Sequence, residues 1–383
     1  MPCDCMQLGT EWLIFMTIRF ADNVVIRLQT RLSYDVLMYR PSLSFILVAA
    51  LLTTACHRSI PEYRETQYLF GTLVSFTIRG VEPVQAQAAV AAVGKDFQRM
   101  HNDWHAWKPG ELSRLNQQLP DGEFHSVSPF LLPLIEQAGE LAAQSDDLFN
   151  PAIGQLVKLW GFHSDTLPSG PPPSQDAIRS LVEKQPRMAD IQIDGDRVRC
   201  LNPTVSLDFG GLAKGAALDL AMQRLRSMGV QNAIINAGGD LNVIGSHGNR
   251  PWNVGVRHPQ GEGVLAAVEL RDGETVYTSG NYERYRQHEG VSYSHIIDPR
   301  TGMPVRHVAS VTVIDRVGAR ADAAATALSV AGPKDWYRIA RQMGLKYVML
   351  VDEQGRVYMN PAMAERIKFE NPLPQPVMIS DRL

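Results

Sequence analysis

Val205–Val230, VSLDFGGLAKGAALDLAMQRLRSMGV, and the stretch that follows it, Asn232–Gly245, NAIINAGGDLNVIG, decide the fold class. The first reads as strand, glycine turn and helix, and the second as a strand entering a glycine turn. Outward from this pair, QYLFGTLVSFTIRG alternates like a strand, with Gly71 marking a close approach or bulge. VQAQAAVAAVGKDFQRMHNDW and PFLLPLIEQAGELAAQSDD carry helical apolar spacing. SDTLPSGPPPSQDA is an exposed proline-rich loop, and DIQIDGDRVRCLNP is a hairpin about Asp194-Gly195. Four β segments follow, WNVGVRHP, LAAVELRDG, VYTSGN and VASVTVIDR, then the helix RADAAATALSVAG and the pair KYVMLVDEQGRVYMN. Strands and helices without regular βαβ alternation predict an α+β fold with a mixed sheet and flanking helices, not a doubly wound one. No internal repeat is visible.

With 383 residues, 45% apolar and 20% charged, the chain can bury a core of one large or two smaller domains. A net charge of -3 and a pI near 6.4 leave no basic footprint, so nucleic acid is not expected as a partner. A small anionic ligand needs only local donors and stays open.

MYRPSLSFILVAALLTTAC, Met38 to Cys56, has the layout of an export signal: a basic start at Arg40, an apolar run Leu43–Leu52, then small residues before a cysteine. The run is short for a membrane span. It resembles a bacterial lipoprotein signal, in which Cys56 would carry lipid; a plain signal peptide or a buried strand are the alternatives. Residues 1–37 are then expected to be an upstream extension that is not native to the protein, 38–55 the signal and 56–66 a polar tether. The expected location is the bacterial cell envelope, lipid-anchored and facing the periplasm, with the inner membrane favoured. The mature chain keeps one further thiol, Cys200, so no internal disulfide is expected.

Gly210 and Gly211 stand just before a predicted helix, where free N–H groups and the helix dipole suit an anion, and Lys214 adds a cation in the first turn. The same pattern also makes a tight strand-helix turn. Asn236–Asp240, NAGGD, either lets backbone approach a ligand or reverses the chain. Asp322 and Thr326 are i and i+4 on a predicted helix, so a carboxylate and a hydroxyl share one face. Such hard oxygens suit Mg²⁺, with a glycine-turn carbonyl as third ligand; an acid near a helix start and a back-bonded Thr give the same spacing. His295, before an Asp-Pro turn, is either structural or a general base for an incoming hydroxyl. Tyr282 and Tyr285 in TSGNYERY, and Trp104 and Trp107 near a Pro-Gly turn, are either packing residues or flanks for a planar ligand.

FGTLVSF, FNPAIGQLVKLWGF, LDFGGLAKGAALD, INAGGDLNVIG, TSGNYERY, HIIDPRTGMPV and ADAAATALSV, in this order from Gln67 to Asn360, resemble the ApbE family of flavin transferases. The resemblance implies a T-fold-like core over residues 67–365 with a C-terminal tail at 366–383. It implies transfer of FMN from FAD to a protein Thr or Ser, with Mg²⁺ on Gly211, Asp322 and Thr326. FAD contacts fall on Phe70, Trp107, Leu148, Phe149, Asn150, Asp208, Lys214 and Ile297, and His295 or Asp298 takes the hydroxyl proton. Phe70 stands where methionine is frequent, Asn150 where aspartate is frequent, and Ala325 where some members add a metal-binding aspartate. Acceptors in the family include membrane subunits of sodium-pumping (Nqr) and Rnf-type electron-transfer complexes. An FAD pyrophosphatase yielding FMN and AMP, or a non-catalytic flavin-binding lipoprotein, are the competing expectations.

Overall fold

The computed structural model describes residues 3–8, 11–19, 25–33 and 60–383, apart from 165, 167 and 373–375. Met1–Ser59 and Ile60–Leu383 are separate units. In the first, strands Cys3–Leu8, Glu11–Arg19 and Val25–Ser33 pair antiparallel. The export signal at 38–55 and Cys56 lie outside the described residues.

The second unit is built on nine strands: β1 (Glu62–Leu69), β2 (Thr72–Arg79), β3 (Asn232–Ala237), β4 (Asp240–Ile244), β5 (Thr275–Gly280), β6 (Val308–Asp315), β7 (Tyr347–Asp352), β8 (Val357–Met359) and β9 (Met378–Ile379). Each strand pairs with the one before it, antiparallel except for the parallel β8–β9 contact. Everything else is inserted between successive strands of this meander, and the fold is α+β.

Both faces are covered. Alternate side chains explain how: Val311 and Val313 of β6 join one core with Phe97, Leu218 and Ala324, whereas Ile314 joins a second with Val243, Met349 and Trp252. The first core is roofed by helices α1 (Pro83–Asp103), α2 (Ala213–Ser227) and α3 (Gly318–Gln342). Apolar residues of α1 at Ala86, Ala89, Val90, Val93, Phe97 and Met100 recur every three or four positions and form its buried stripe. The second core lies under a small sheet of Trp252–Arg257, Val264–Leu270 and Ile367–Phe369. All of β6 is therefore buried, as expected of a strand with both faces packed.

Four local expectations change. Residues 62–66, read as tether, belong to β1, because half-buried Tyr63 and Glu65 pair with Ile78 and Phe76 of β2. Gly71 is not a bulge within one strand but half of a two-residue hairpin turn. The tail at 366–383 adds strands to both sheets. The helix expected to end near Gly332 breaks there, at φ 66°, and resumes from Pro333.

Candidate active site

A cavity of about 590 Å³ opens where the β1–β2 turn, the starts of α2 and α3 and the His295 loop converge. The turn is Phe70-Gly71, at φ 54° and 72°, flanked by the Leu69–Thr72 pair. Positive φ at both positions gives the tight turn that matches strand twist. A phenylalanine there is held by edge-on packing of its ring against Phe97, at 5.3 Å between centroids. Gly238 of the NAGGD turn lies against the same tip, and a methyl on it would stand 2.6 Å from the Thr72 hydroxyl. Phe70, Gly238 and Asp240 all line the cavity.

Trp107, Leu148, Phe149, Asp208 and Ile297 form further walls. The Trp107 indole donates to Asp208 Oδ2 at 2.8 Å, while Asp208 Oδ1 accepts from the Gly210 N–H at 2.8 Å. One carboxylate thus orients the aromatic wall and the glycine turn. Asn150 also lines the cavity, but its side chain is spent on backbone: Nδ2 donates to Pro186 O at 2.9 Å, and Oδ1 accepts from Ala152 N at 3.0 Å.

At the polar end Lys214 is paired with Asp240, which also accepts from Thr278 N at 3.1 Å. Burial pulls the Lys214 ammonium down, but Asp240, Asp322 and Glu283 outweigh it and hold the group well above the usual lysine range. Across from it, Asp322 Oδ2 accepts the Gly215 N–H at 3.1 Å, and burial pushes the carboxyl up to about 7. A methyl on Gly211 would stand 2.8 Å from Thr326 Oγ1, so the glycine backbone and the Thr hydroxyl face each other directly. Thr326 Oγ1 is 3.4 Å from the Asp322 carbonyl, long for the back-bonded alternative. Carboxylate, hydroxyl and backbone oxygen fit a hard cation that completes its shell with phosphate and water. Among the described residues, no three His, Cys, Asp or Glu side chains group as a metal site, so that shell depends on such mixed donors.

His295 donates from both its backbone N and ring Nδ1 to the Arg284 carbonyl, at 3.0 and 3.1 Å. A carbonyl only accepts, so Nδ1 carries the proton and Nε2 keeps a free lone pair. Burial first, and then the Arg284 and Lys214 charges, lower the imidazole to about 4 against the opposing hydrogen bond, so the ring is neutral near pH 7.

Asp298 does not reach the cavity. Its carboxylate accepts from Arg300 Nε at 2.9 Å, Nη2 at 2.8 Å and the Arg300 backbone at 2.9 Å, which makes it the organiser of its own Asp-Pro turn. Tyr282 and Tyr285 are not wall residues either: Tyr282 folds over Gly280 with Arg257 above its ring, and Tyr285 pairs with Ser294 in a hairpin. The two residues between them, Glu283 and Arg284, do line the cavity, though no sequence pattern singles them out. Glu283 lines the cavity, where burial raises its carboxyl to about 7 despite Lys214. In sequence it is an acid in a turn, and only the adjoining Tyr282 hinted at a packed environment.

The chain matches the model of the ApbE family over residues 70–349, more than half its length. A Rhodobacter capsulatus protein named FAD:protein FMN transferase is 47% identical over 84% of this chain, which spans 61% of that relative's length. The Treponema pallidum protein of the same name is 30% identical over 81% of this chain and 90% of its own. Among solved structures, the ApbE protein of Thermotoga maritima superposes with a TM-score of 0.73 at 31% identity, covering 82% of this chain and all of that one. The flavin transferase ApbE of Vibrio cholerae gives 0.71 at 25% identity, with 80% and 99% covered. The matched span holds every wall of the cavity named above, from the Phe70 turn to Thr326, and on that ground the chain belongs to the ApbE family.

Proposed function

We propose that this chain transfers FMN from FAD to a Ser or Thr hydroxyl of a partner protein and releases AMP. The observation that carries the reading is one cavity with two chemistries: an apolar wall of Phe70, Phe149 and Ile297 beside Trp107, continuous with a polar end of Lys214, Gly211, Asp322 and Thr326. Its volume suits a cofactor-sized ligand. The apolar arm would take a planar ring, and the glycine turn with Lys214 would take a pyrophosphate.

In the reaction the acceptor oxygen bonds to the FMN-side phosphorus and the bond from that phosphorus to the bridging oxygen breaks, so AMP leaves with the bridging oxygen. Nε2 of His295 receives the hydroxyl proton, since its lone pair is free and Asp298 is held elsewhere by Arg300. Asp322, Thr326 and the Gly211 carbonyl would hold Mg²⁺, which supplies charge neutralisation at the pyrophosphate. Lys214 draws the phosphates inward, and Trp107 and Asp208 fix the ring end. We assign the chain a lipid anchor at Cys56 and a periplasmic position, beside acceptor subunits of membrane electron-transfer complexes of the Nqr or Rnf type.

Incubation of the protein with FAD, Mg²⁺ and a periplasmic domain of such a subunit is expected to add one FMN, less water, to the acceptor and to release one AMP. AMP and FMN without acceptor labelling would replace transfer by hydrolysis. Intact bound FAD would leave a binding protein.

A further inference from the structure

Asp219 lies on α2 five positions beyond Lys214 and is not a wall of the cavity. Its carboxylate reaches out of its own helix: Oδ1 accepts from Gly318 N and Oδ2 from Ala319 N, at 2.8 and 3.1 Å. Those are the first two residues of α3, whose N–H groups have no partner within the helix. Oδ1 also accepts from Asn242 Nδ2 at 2.8 Å, and Asn242 accepts from the Tyr277 hydroxyl at 2.8 Å, tying the cap to β4 and β5.

The helices that meet here each carry half of one site. Gly211 precedes α2, whereas Asp322 and Thr326 stand on the first turns of α3. At the crossing a methyl on Gly215 would lie 2.4 Å from the Gly318 carbonyl oxygen, so backbone meets backbone. Small movements of α3 along α2 therefore alter the gap between Gly211 and Thr326 directly.

We propose that Asp219 is a positioning residue: by capping α3 from α2 it sets the separation of the Gly211 and Asp322–Thr326 donors, and so the affinity of the cation site, without touching substrate. The inference rests on the metal-assisted reading of the site. It asks more of the residue than stability, because a cap alone would hold α3 folded without tuning what lies one turn further on.

The test uses the full chain and the variants Asp219→Ala and Asp219→Asn, the second keeping the side-chain volume and one oxygen acceptor. Mn²⁺ titration followed by electron paramagnetic resonance reads the site without turnover, flavin fluorescence in EDTA reads FAD affinity, and thermal unfolding reads the cap. The expected result is a rise of at least about tenfold in the half-saturating Mn²⁺ concentration for Asp219→Ala, with a smaller rise for Asp219→Asn. FAD affinity in EDTA stays within about twofold, because Asp219 does not line the cavity and distant sites act nearly independently. Variants that melt earlier but titrate Mn²⁺ like the parent overturn the proposal alone. A parent protein that takes up no Mn²⁺ overturns the cation reading and this proposal with it.

Discussion

Trp107 Nε1 donates to Asp208 Oδ2 at 2.8 Å across 101 residues of chain, so the aromatic wall and the glycine turn of the cavity are one hydrogen-bonded unit. Trp107→Phe keeps an aromatic face but removes the donor. Losing a hydrogen bond to a charged acceptor costs about 1.5 kcal/mol, or roughly tenfold in affinity. Flavin fluorescence titration should show that loss of FAD affinity, and a larger one for Asp208→Ala, which also strips the Gly210 N–H of its partner. Equal affinity in all three proteins would mean that the unit does not contact FAD.

Gly215→Ala tests the helix crossing. The added methyl would meet the Gly318 carbonyl oxygen at 2.4 Å and the Ala319 nitrogen at 2.6 Å, both backbone atoms that cannot rotate away. Overpacking of this kind costs about 1–3 kcal/mol. Urea unfolding should report it, together with weaker metal dependence of turnover, because Gly215 N holds Asp322 in place. A variant as stable as the parent would show that the crossing is looser than drawn.

The sequence was most informative where local chemistry and spacing coincide. Asp322 and Thr326 share a helix face by period alone, and the Gly210-Gly211 turn before Lys214 follows from glycine and capping rules. What it could not carry were relationships set by the sheet. Asp240 was legible as the end of a glycine turn, but its pairing with Lys214 depends on β4 lying beside α2. Glu283 became a buried acid only because the loop after β5 folds over the cavity. Asp298 shows the converse: its nearness to His295 in sequence suggested a shared task, yet the Asp-Pro turn directs its carboxylate to Arg300.

Asn150 stands where the family resemblance implies an aspartate, and that exchange can be tested. In this chain Nδ2 donates to the Pro186 carbonyl at 2.9 Å in a buried setting. Asn150→Asp would set a carboxylate oxygen against that carbonyl. The lost bond and the unpaired buried acceptor together cost about 2 kcal/mol. Urea unfolding should show this near pH 7, with recovery at lower pH where the introduced acid protonates and can donate. Stability unchanged at both pH values would show that the Pro186 loop rearranges freely.

His295 makes the acid side of the stability profile predictable. Its imidazole sits near 4 in the folded protein, against 6.5 ordinarily. Between those values the unfolded chain binds a proton that the folded chain refuses, so this contribution is present above pH 6.5 and is lost as pH falls toward 4. At about 1.4 kcal/mol per unit the loss is roughly 3 kcal/mol. Asp322 and Glu283, both raised to about 7, run the other way and lose stability as pH rises through that value. The readout is therefore the difference between the parent and His295→Gln in urea unfolding from pH 7.5 to 4.5. The parent should lose stability relative to the variant as pH falls, by an amount that the opposing carboxyls leave untouched. Parallel profiles would mean that the folded protein takes up the imidazole proton at its ordinary pH, and would show that burial does not hold the ring neutral below 6.5.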